Sequence, residues 1–569
     1  MKISIGINTY KPFDQLEVRQ KLCIESLLKV QSMSDVEIEL YSLQFEDEAF
    51  EIEGFNRLSV LKDKPYDLLT EYFDHHGLVE IYEERFKVDM PSIKDDKRPH
   101  MQELFNALSN TDCDYFIFLN DDIVLSDRFI TQMKENPNYD SYPASRIHVY
   151  DMVDLSGTGM PESYSVHGFD GFGIRKEWWE KQKFNFPKEL LGKPYWDVHY
   201  FTLCQLLGSA FTLNKLPPVM YHPHHDSTSC TTDDILSKYN TDVFQRDVIC
   251  GQLWWRYVQG VLLKRPEVDG IKWWTPFPEE VRLERELFQS AVSHGITPND
   301  QKDFSPVTLT DSKEFDAFLP CAPKDMIKLR FAVEGIIKNV KGLKDIHICT
   351  PKPIPKLDID YPIYYHLDTE VMPTIDPLKW KFRPNWIFQQ FLKLFQTVTS
   401  TEYYLIVDLD TVINRPMSMF EGDNPIWYTG WRQNHLPYFL FNLYMMNLEK
   451  TADHTFICDM NFFNRKIIDQ MLDINNYTID SFADKSYDLI SNGCHIAEPE
   501  IYGSFVTKYY PELYKCKAAK QYIFGKDHSQ DPNAVPWGHQ EITELLKNKE
   551  DYDMVQMHSW CAGFEDHWK

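Results

Sequence analysis

Carboxylates follow two strongly apolar stretches of this sequence. The segment DLD at 408–410 comes directly after YYLIV, and the segment NDD at 120–122 comes directly after YFIFL. Alternate residues at the exit of a strand point to the same side, so Asp408 and Asp410 suit one hard cation such as Mg²⁺ or Mn²⁺. A divalent cation that bridges two phosphates neutralises the charge growing on a nucleoside diphosphate leaving group. For either cluster taken alone, a solvated turn is the alternative.

Histidines near the ends of the two halves could complete such sites. The segment HPHHD supplies His222, His224 and His225, and an imidazole is a reasonable last ligand for Mn²⁺ beside carboxylates. We expect one of the three to ligate and take His224 as the candidate. His558, in VQMHSW, follows the strand-like DMVQM and is the candidate in the second half. The alternatives are a polar loop for the cluster and a satisfied core residue for His558.

The elements that position these residues occur in the same order twice. In the first half a strand at 2–7, a helix at about 15–30 and a strand at 36–43 precede an amphipathic segment at 100–108 and the strand at 115–119. The second half repeats this with FDAFLPCA, a helix at about 326–340, IHICTP, a helix at about 386–397 and YYLIV. Such alternation predicts an α/β fold whose mostly parallel sheets bind ligands at the carboxyl ends of their strands.

We therefore predict two tandem Rossmann-like domains, at 1–230 and 306–569. Between them, 231–305 is rich in Trp and reads as a helical bridge (GQLWWRYVQGVLL, then EEVRLERELFQSAV). A flexible linker would be poorer in Trp and richer in Gly and Ser. The bridge is expected to hold the two domains in a fixed relation.

Composition excludes several classes of function. The 569 residues suit two to four domains, and 43% hydrophobic with 25% charged residues indicates a globular protein. The formal net charge of −27 repels nucleic acid and anionic membranes, so a phosphate-binding site must supply its own positive charge. Eleven scattered Cys without a CxxC pair indicate a reducing compartment. Apolar runs shorter than about 18 residues predict no transmembrane segment, and we expect a soluble cytoplasmic protein.

The second half resembles the DxD-containing glycosyltransferase-like domains of the GT-A fold found in bacterial and large-virus surface-glycan systems. The resemblance is carried by KLRFAVEGIIKNVKGLKDIHI, PNWIFQQFLKLF with YYLIVDLDTVINRP, HTFICDMNFFNRKII and AEPEIYGSF. It implies nucleotide-sugar binding at Asp408, with Asp410 and His558 on the metal. It also implies acceptor or sugar contacts, and hence catalytic roles, at Asp459, Glu498 and Glu500.

The first half resembles the family-2-type GT-A glycosyltransferases, an inverting group. The matching passages are ISIGINTY, FLNDDIVLSDRFI, GFDGFGIRKEWW, PYWDVHYF and YHPHHD. Asn120 departs from the family's acidic triplet in its first place and leaves Asp121 and Asp122. The resemblance implies metal binding through Asp122. The resemblance implies nucleotide-sugar contacts at four residues, namely Thr9, Tyr10, Asp121 and Gly171.

Asp197 corresponds in position to the family's catalytic base. Inverting transfer needs one carboxylate within reach of the acceptor hydroxyl, to take its proton as it attacks the anomeric carbon. The alternative for an isolated Asp before VHYFTLCQLL is a helix N-cap. We expect the glycines around Asp170 to let the backbone approach a ligand closely.

The sequence thus predicts a bifunctional, nucleotide-sugar-dependent glycosyltransferase (hexosyl- or pentosyltransferase) with Mn²⁺ or Mg²⁺ as cofactor, a UDP- or GDP-linked donor and a glycan acceptor. The alternative is one active domain beside a catalytically inactive acceptor-binding domain. A same-fold nucleotidyltransferase would normally carry a Gly-rich basic loop after the first strand, which NTYKPFD lacks. A metal-dependent phosphohydrolase would need more clustered His and Asp ligands than either half carries.

Overall fold

The structure is a computed structural model of the chain. It describes residues 1–76, 90–149, 169–213, 219–223, 234–246, 267–268, 271–272, 301–429, 436–525 and 539–558, apart from 12, 49, 323–324, 381–382, 453 and 492–493. The chain divides into two compact units: unit 1 comprises Met1–Leu69 and Val88–Phe288, and unit 2 comprises Thr70–Lys87 and Gln289–Lys569.

Unit 1 is built on a six-stranded sheet. The strands lie in the order β3-β2-β1-β4-β8-β6, in which β1 to β4 run parallel, β8 is antiparallel to β4, and β6 is antiparallel to β8. Their bounds are β1 Lys2–Asn8, β2 Glu37–Phe45, β3 Asn56–Leu61, β4 Tyr115–Leu119, β6 Ser141–Ser145 and β8 Phe169–Arg175. The helices are α1 Val18–Met33, α2 Pro65–His76, α3 Met101–Ser109, α4 Arg128–Glu135, α5 Lys176–Gln182, α6 Trp196–Leu207 and α7 Ile235–Arg246.

Unit 2 repeats this plan. Its main sheet has the order β15-β14-β12-β16-β21, with the first four strands parallel and β21 antiparallel to β16. The strands are β12 Phe315–Pro320, β14 Leu343–Thr350, β15 Ile363–Leu367, β16 Tyr403–Val407 and β21 Met460–Asn464. The helices are α8 Met326–Asn339, α9 Asp368–Val371, α10 Pro384–Phe395, α11 Leu436–Met446, α12 Arg465–Ile474, α13 Ile479–Ser491, α14 Glu498–Tyr509 and α15 His539–Asn548.

A small second sheet in each unit follows the acidic segment. In unit 1 the short strand β5 (Val124–Leu125) pairs antiparallel with β9 (Met220–Pro223), which runs parallel to β7 (Ile147–Val149). In unit 2 β17 (Thr411–Ile413) pairs antiparallel with β24 (Met554–His558), which runs parallel to β23 (Gln521–Gly525). The remaining strands are β10 Glu267–Val268, β11 Ile271–Lys272, β13 Val340–Lys341, β18 Met417–Ser418, β19 Phe420–Glu421, β20 Asn424–Thr429 and β22 Lys515–Ala518.

The fourth strand of each main sheet, β4 in unit 1 and β16 in unit 2, lies inside its sheet. Every residue of β4 and of β16 is buried, because a strand with neighbours on both sides and helices on both faces contacts apolar side chains all round. Both strands end where the polar segments 120–122 and 408–410 begin. The predicted α/β class with mostly parallel sheets and a duplicated element order is therefore confirmed.

The predicted bridge is described only in part. Helix α7 belongs to unit 1, where the Asn240 amide accepts from the Leu190 N–H at 2.8 Å and donates to the Leu190 carbonyl at 2.9 Å. The two Trp-rich and acidic helical stretches predicted beyond it lie outside the described residues. Within the described part of the chain, no helix is long and apolar enough to cross a membrane.

Candidate functional site

Each acidic segment is tied to a second aspartate on the neighbouring antiparallel strand. In unit 1 the backbone N–H of Asn120 donates to the carbonyl of Asp170 at 3.2 Å, and in unit 2 that of Asp408 donates to the carbonyl of Asp459 at 3.0 Å. Both bonds continue the ladders of β4 with β8 and of β16 with β21. Asp170 and Asp459 therefore occupy equivalent positions at the carboxyl end of the fourth strand.

The returning strands β9 and β24 close the same two segments. In unit 1 the His222 imidazole Nε2 lies 3.1 Å from Asp122 Oδ2. In unit 2 the N–H of Met557 donates to the carbonyl of Asp410 at 2.6 Å, which places the backbone of His558 beside the DLD segment. The His558 side chain and all of His224 lie outside the described residues, so their ligation stays a prediction. Of the three histidines in HPHHD, His222 is the one the structure places against a predicted metal ligand.

Asp121, directly after β4, is held by a side chain of helix α1. Gln20, in the first turn of α1, accepts from the Glu17 N–H at 3.0 Å and donates its amide to Asp121 and to the Tyr10 hydroxyl, the latter at 3.0 Å. Burial and the adjacent Asp122 raise the pKa of Asp121 to about 7. The side chain of Thr9 is turned to Ser42 on β2. The Gln20 amide therefore holds the side chains of Tyr10 and Asp121 next to each other.

A buried charge pair that sequence analysis missed lies behind Asn120. The Asn120 amide donates to Asp170 Oδ1 at 2.7 Å, and the Arg146 guanidinium binds the other oxygen of Asp170. Burial raises the pKa of Asp170, while Arg146 opposes that shift. Asp122 and Asp197 also raise the pKa of Arg146. Arg146 therefore places a positive charge among the carboxylates of Asp122, Asp170 and Asp197.

Asp197 lies in the first turn of helix α6, which begins at Trp196. The N-cap position belongs to Tyr195, whose φ of +77° is left-handed, so Asp197 is inside the helix rather than its cap. Its Oδ2 accepts from the Phe169 N–H at 3.1 Å, which fixes the carboxylate against the start of β8. Burial, followed by the charge of Asp170, raises the pKa of Asp197 to about 6. A carboxylate of this pKa is a competent general base near neutral pH.

In unit 2 a buried lysine lies between two of the predicted site residues. Lys393 Nζ, from the last turns of α10, is 2.7 Å from Asp408 Oδ1 and 3.0 Å from Glu498 Oε1. The two carboxylates raise the pKa of Lys393 against the opposing effect of burial. Burial and Asp408 raise the pKa of Glu498, with Lys393 opposing. Lys393, which the sequence analysis did not single out, supplies the positive charge of this edge.

Glu500 accepts hydrogen bonds from a different part of unit 2. Its Oε1 accepts from the hydroxyl of Thr455 and, at 3.0 Å, from the N–H of Phe456. Burial raises its pKa, and these donors oppose the shift. Asp459 Oδ2, by contrast, accepts from the Thr411 hydroxyl at 3.3 Å beside the DLD segment. The structure thus brings Asp408, Asp459 and Glu498 to one edge and gives Glu500 a role in holding the 455–456 backbone.

Gly171 faces the protein core. A Cβ at this position would lie 2.3 Å from Met220 Sδ and 2.9 Å from Leu119 Cδ2. The absence of a side chain is therefore required by the packing of β8 against β4 and β9. Its predicted contact with a nucleotide sugar is not tested by this packing and stays a prediction.

One group of three ligating side chains, among the described residues, lies close enough together to hold a divalent metal: Asp316, Asp345 and His347. It includes none of the predicted metal ligands. Asp316 pairs with Tyr404 near the amino end of β16, whereas Asp408 follows the carboxyl end of that strand. At about 3.3 Å per residue, the two aspartates are about 13 Å apart along the sheet.

The donor types at the predicted metal positions fit a hard or borderline cation. Asp122 and His222 bring an oxygen and a nitrogen together, a pair that Mn²⁺ accepts. In unit 2 Asp410 offers a carboxylate oxygen, and the side chain of the second predicted ligand, His558, lies outside the described residues. Loading of either site with Mn²⁺ or Mg²⁺ stays a prediction.

No protein-family model matches the chain, and no curated protein sequence matches it. Among solved structures, TarS of S. aureus (residues 1–349, in complex with UDP-GlcNAc) has 13% identity and a TM-score of 0.23, covering 40% of this chain and 60% of that one. The galactosyltransferase LgtC, in complex with donor and acceptor sugar analogues, has 10% identity and a TM-score of 0.25, covering 44% and 88%. The glycosyltransferase GlyE of Streptococcus pneumoniae has 8% identity and a TM-score of 0.22, covering 43% and 54%.

This chain therefore spans about three fifths of the TarS structure that it matches. The low TM-scores and identities describe a likeness of part of the fold.

Proposed function

We propose that the protein is a bifunctional glycosyltransferase, in which each unit transfers a sugar from a nucleotide-sugar donor to a glycan acceptor. The observation that supports it most is the repeated edge. In both units the fourth strand ends in an acidic segment that is bonded to a second aspartate and closed by a returning strand. Ligands of α/β sheets bind at this carboxyl edge, and in both units it carries aspartates.

In unit 1 the proposed base is Asp197 and the reaction inverts the anomeric carbon. The acceptor hydroxyl attacks that carbon while Asp197 takes its proton, and the bond from the sugar to the nucleoside diphosphate breaks with its electron pair leaving on the phosphate. Arg146 holds Asp170 and lowers the local negative charge that would otherwise repel the donor. Asp122 and His222 would hold a divalent cation, whose chemistry when bound is to neutralise the diphosphate.

Activity of unit 1 is predicted to fall as the pH drops below about 6. Asp197 must be ionised to accept a proton, and its pKa of about 6 places the change there. Asp197→Asn should lower kcat by about 10²- to 10⁴-fold and remove this limb of the pH profile. The measurement is initial-rate sugar release from pH 4.5 to 8.5 by the full chain carrying Asp410→Ala, so that unit 1 is observed.

Stability provides an independent readout for the same variant. Because the folded pKa of Asp197 lies above the ordinary value of 3.8, its ionisation costs stability as the pH rises through about 6. Asp197→Asn should therefore have a higher thermal midpoint than the parent at pH 8, and the gap should close towards pH 4. Asp127→Asn, at an exposed site on the same unit, is the control. An unchanged pH profile in Asp197→Asn would remove Asp197 from the role of base.

In unit 2 we place the donor at Asp408 and Asp410 and the sugar near Asp459 and Glu498. Lys393 orients Asp408 and Glu498 at once and offsets their charge. Whether the configuration is retained or inverted depends on acceptor geometry, so no base is assigned in this unit.

The direct test is a donor panel. The full chain is incubated with UDP- and GDP-linked hexoses and pentoses, with Mn²⁺, with Mg²⁺ and with a chelator, and release of nucleoside diphosphate is measured. The proposal expects release from at least one donor that stops in the chelator and resumes with metal. Binding of no donor in calorimetric titrations with metal present would overturn it.

A second candidate function is transfer by unit 1 alone, with unit 2 binding the acceptor. It is favoured by the ion pairs of Lys393, because Asp408 is already neutralised by a side chain of the protein. In that case acidic-segment variants of unit 2 would change the Michaelis constant for the acceptor and leave the spectrum of cleaved donors intact.

A further inference from the structure

Three side chains converge at the amino half of the sheet in unit 2, away from the acidic segment. Asp345 and His347 alternate along β14 and therefore point to the same face, and Asp316 joins them from the neighbouring strand β12. One ligand atom from each lies within 4.8 Å of the others. The relative exposure is 0% for Asp316 and 6% for His347.

Two atoms of this cluster are buried without a hydrogen-bond partner. They are Asp316 Oδ1 and His347 Nε2. Nε2 lies 3.6 Å from Asp316 Oδ2, which is too far for a hydrogen bond. Buried polar atoms in native proteins nearly always have a partner, and an ion is one reason for an exception.

The surroundings orient both residues as metal ligands are oriented. Asp316 Oδ2 accepts from the N–H of Ser400, from its hydroxyl at 3.0 Å and from the N–H of Thr401 at 3.2 Å. Three donors on one oxygen keep the carboxylate ionised. His347 Nδ1 lies 3.0 Å from His366 Nε2. When Nδ1–H donates there, the lone pair of Nε2 is directed at the carboxylates, the arrangement seen around metal-bound imidazoles.

We propose that Asp316, Asp345 and His347 bind one divalent transition-metal ion of the Zn²⁺ type, at a site separate from the acidic segments. One nitrogen and two carboxylates suit zinc, whereas Mg²⁺ prefers oxygen alone. In tetrahedral coordination, bonds of about 2.0 to 2.2 Å place donor atoms about 3.3 to 3.6 Å apart. Donor atoms that lie up to 4.8 Å apart must therefore close by as much as about 1 to 1.5 Å on uptake. The ion ties β12 to β14 and lies about 13 Å from Asp408 along the sheet. With three protein ligands it keeps a fourth position for water.

The test is a zinc titration of the full chain after stripping with a chelator, in the presence of a weak competing chelator that suppresses surface binding. His347→Gln and Asp345→Asn are each expected to bind one zinc equivalent fewer than the parent. His539→Gln, which changes an exposed histidine of the same unit, is the matched control and should bind as many as the parent. Zinc should raise the thermal midpoint of the parent and of the control more than that of the two cluster variants.

Two further readouts keep the proposal falsifiable. Asp345 is partly exposed, so Asp345→Asn decides the question should His347→Gln fail to fold. Asp410→Asn should lower Mn²⁺-dependent donor release and keep the zinc equivalent, which separates this site from the proposed function. If both cluster variants bind zinc like the parent, or if zinc leaves the thermal midpoint of the parent unchanged, the cluster is an Asp–His ion pair only and the proposal is wrong.

Discussion

Asp410→Ala is expected to abolish donor release by unit 2, by about 10²- to 10³-fold or more, and to leave release by unit 1 unchanged. Removing this carboxylate takes away both a ligand and the charge that holds the cation. Loss of Lewis-acid stabilisation worth several kcal/mol corresponds to that factor. Asp122→Ala should do the reverse, because it removes the carboxylate that meets His222.

The measurement is metal-dependent release across the donor panel for each variant and for the double variant. Each single variant should lose a different part of the activity, and the double variant should lose all of it. Asp423→Ala and Asp127→Ala are matched controls at exposed positions of units 2 and 1. Neither active-site variant should unfold the protein, since mutually repelling carboxylates cost stability without a cation. If Asp410→Ala keeps the full activity, metal assistance in unit 2 is wrong; if either variant alone removes all release, the two activities are not separable.

Lys393→Met should be the most destabilising single change described here. It leaves Asp408 and Glu498 facing each other without their shared cation, and breaking a buried ion pair in this way costs about 3–5 kcal/mol. Hydrogen exchange of the amides of β16 reports the free energy of opening of this part of unit 2, which avoids assuming one transition for a protein of two units. Lys313→Met is the control, because its pair with the fully exposed Asp423 is worth at most about 1 kcal/mol.

The loss in Lys393→Met should depend on pH with a defined sign. Burial and Asp408 already raise the pKa of Glu498 in the parent, and the variant lacks Lys393, which opposes that shift. The stability that protonated Glu498 contributes at low pH is therefore lost as the pH rises through its folded pKa. The deficit should be largest near pH 8 and narrow towards pH 5. Adding Glu498→Gln should recover part of it at pH 8. A deficit independent of pH, with no recovery in the double variant, would mean that the lysine acts through packing of its aliphatic chain.

The order of elements along the chain and the placement of the acidic segments could be predicted because they depend on local signals. The apolar runs 115–119 and 403–407 match β4 and β16 residue for residue, and the predicted helix at about 386–397 is α10 at 384–395. Burial of every residue in a central strand makes such runs distinctive. Helix starts were less accurate, with α1 beginning at Val18 rather than near Gln15, because the first turn depends on capping contacts.

The residues that carry charge into the two edges could not be found in this way. Arg146 and Lys393 are distant in sequence from their partners Asp170 and Glu498. A basic residue at the end of an apolar helix, such as Lys393, also normally indicates a solvent-exposed position. Comparison of equivalent positions in the two halves offered one signal for Lys393. Lys393 precedes Asp408 by 15 residues, and the residue at the same distance before Asn120 is Phe105, which packs among aromatic rings. Where unit 2 has the ion pair of Lys393 with Asp408, unit 1 has Phe105 and Asn120 at the corresponding sequence positions.

The closing strands have a consequence for synthesis on the ribosome. Val412 pairs with Val555, and Val124 pairs with Tyr221, so neither acidic segment is enclosed until a strand made much later has emerged. At about 5–20 residues per second, the stretch between Val412 and Val555 takes about 7 to 30 s to translate. During that interval β17 lacks its partner strand β24, and the acidic segment that follows β16 is not enclosed. In unit 1, β9 is complete by Pro223, so the acidic segment at 120–122 is enclosed while unit 2 is still being made.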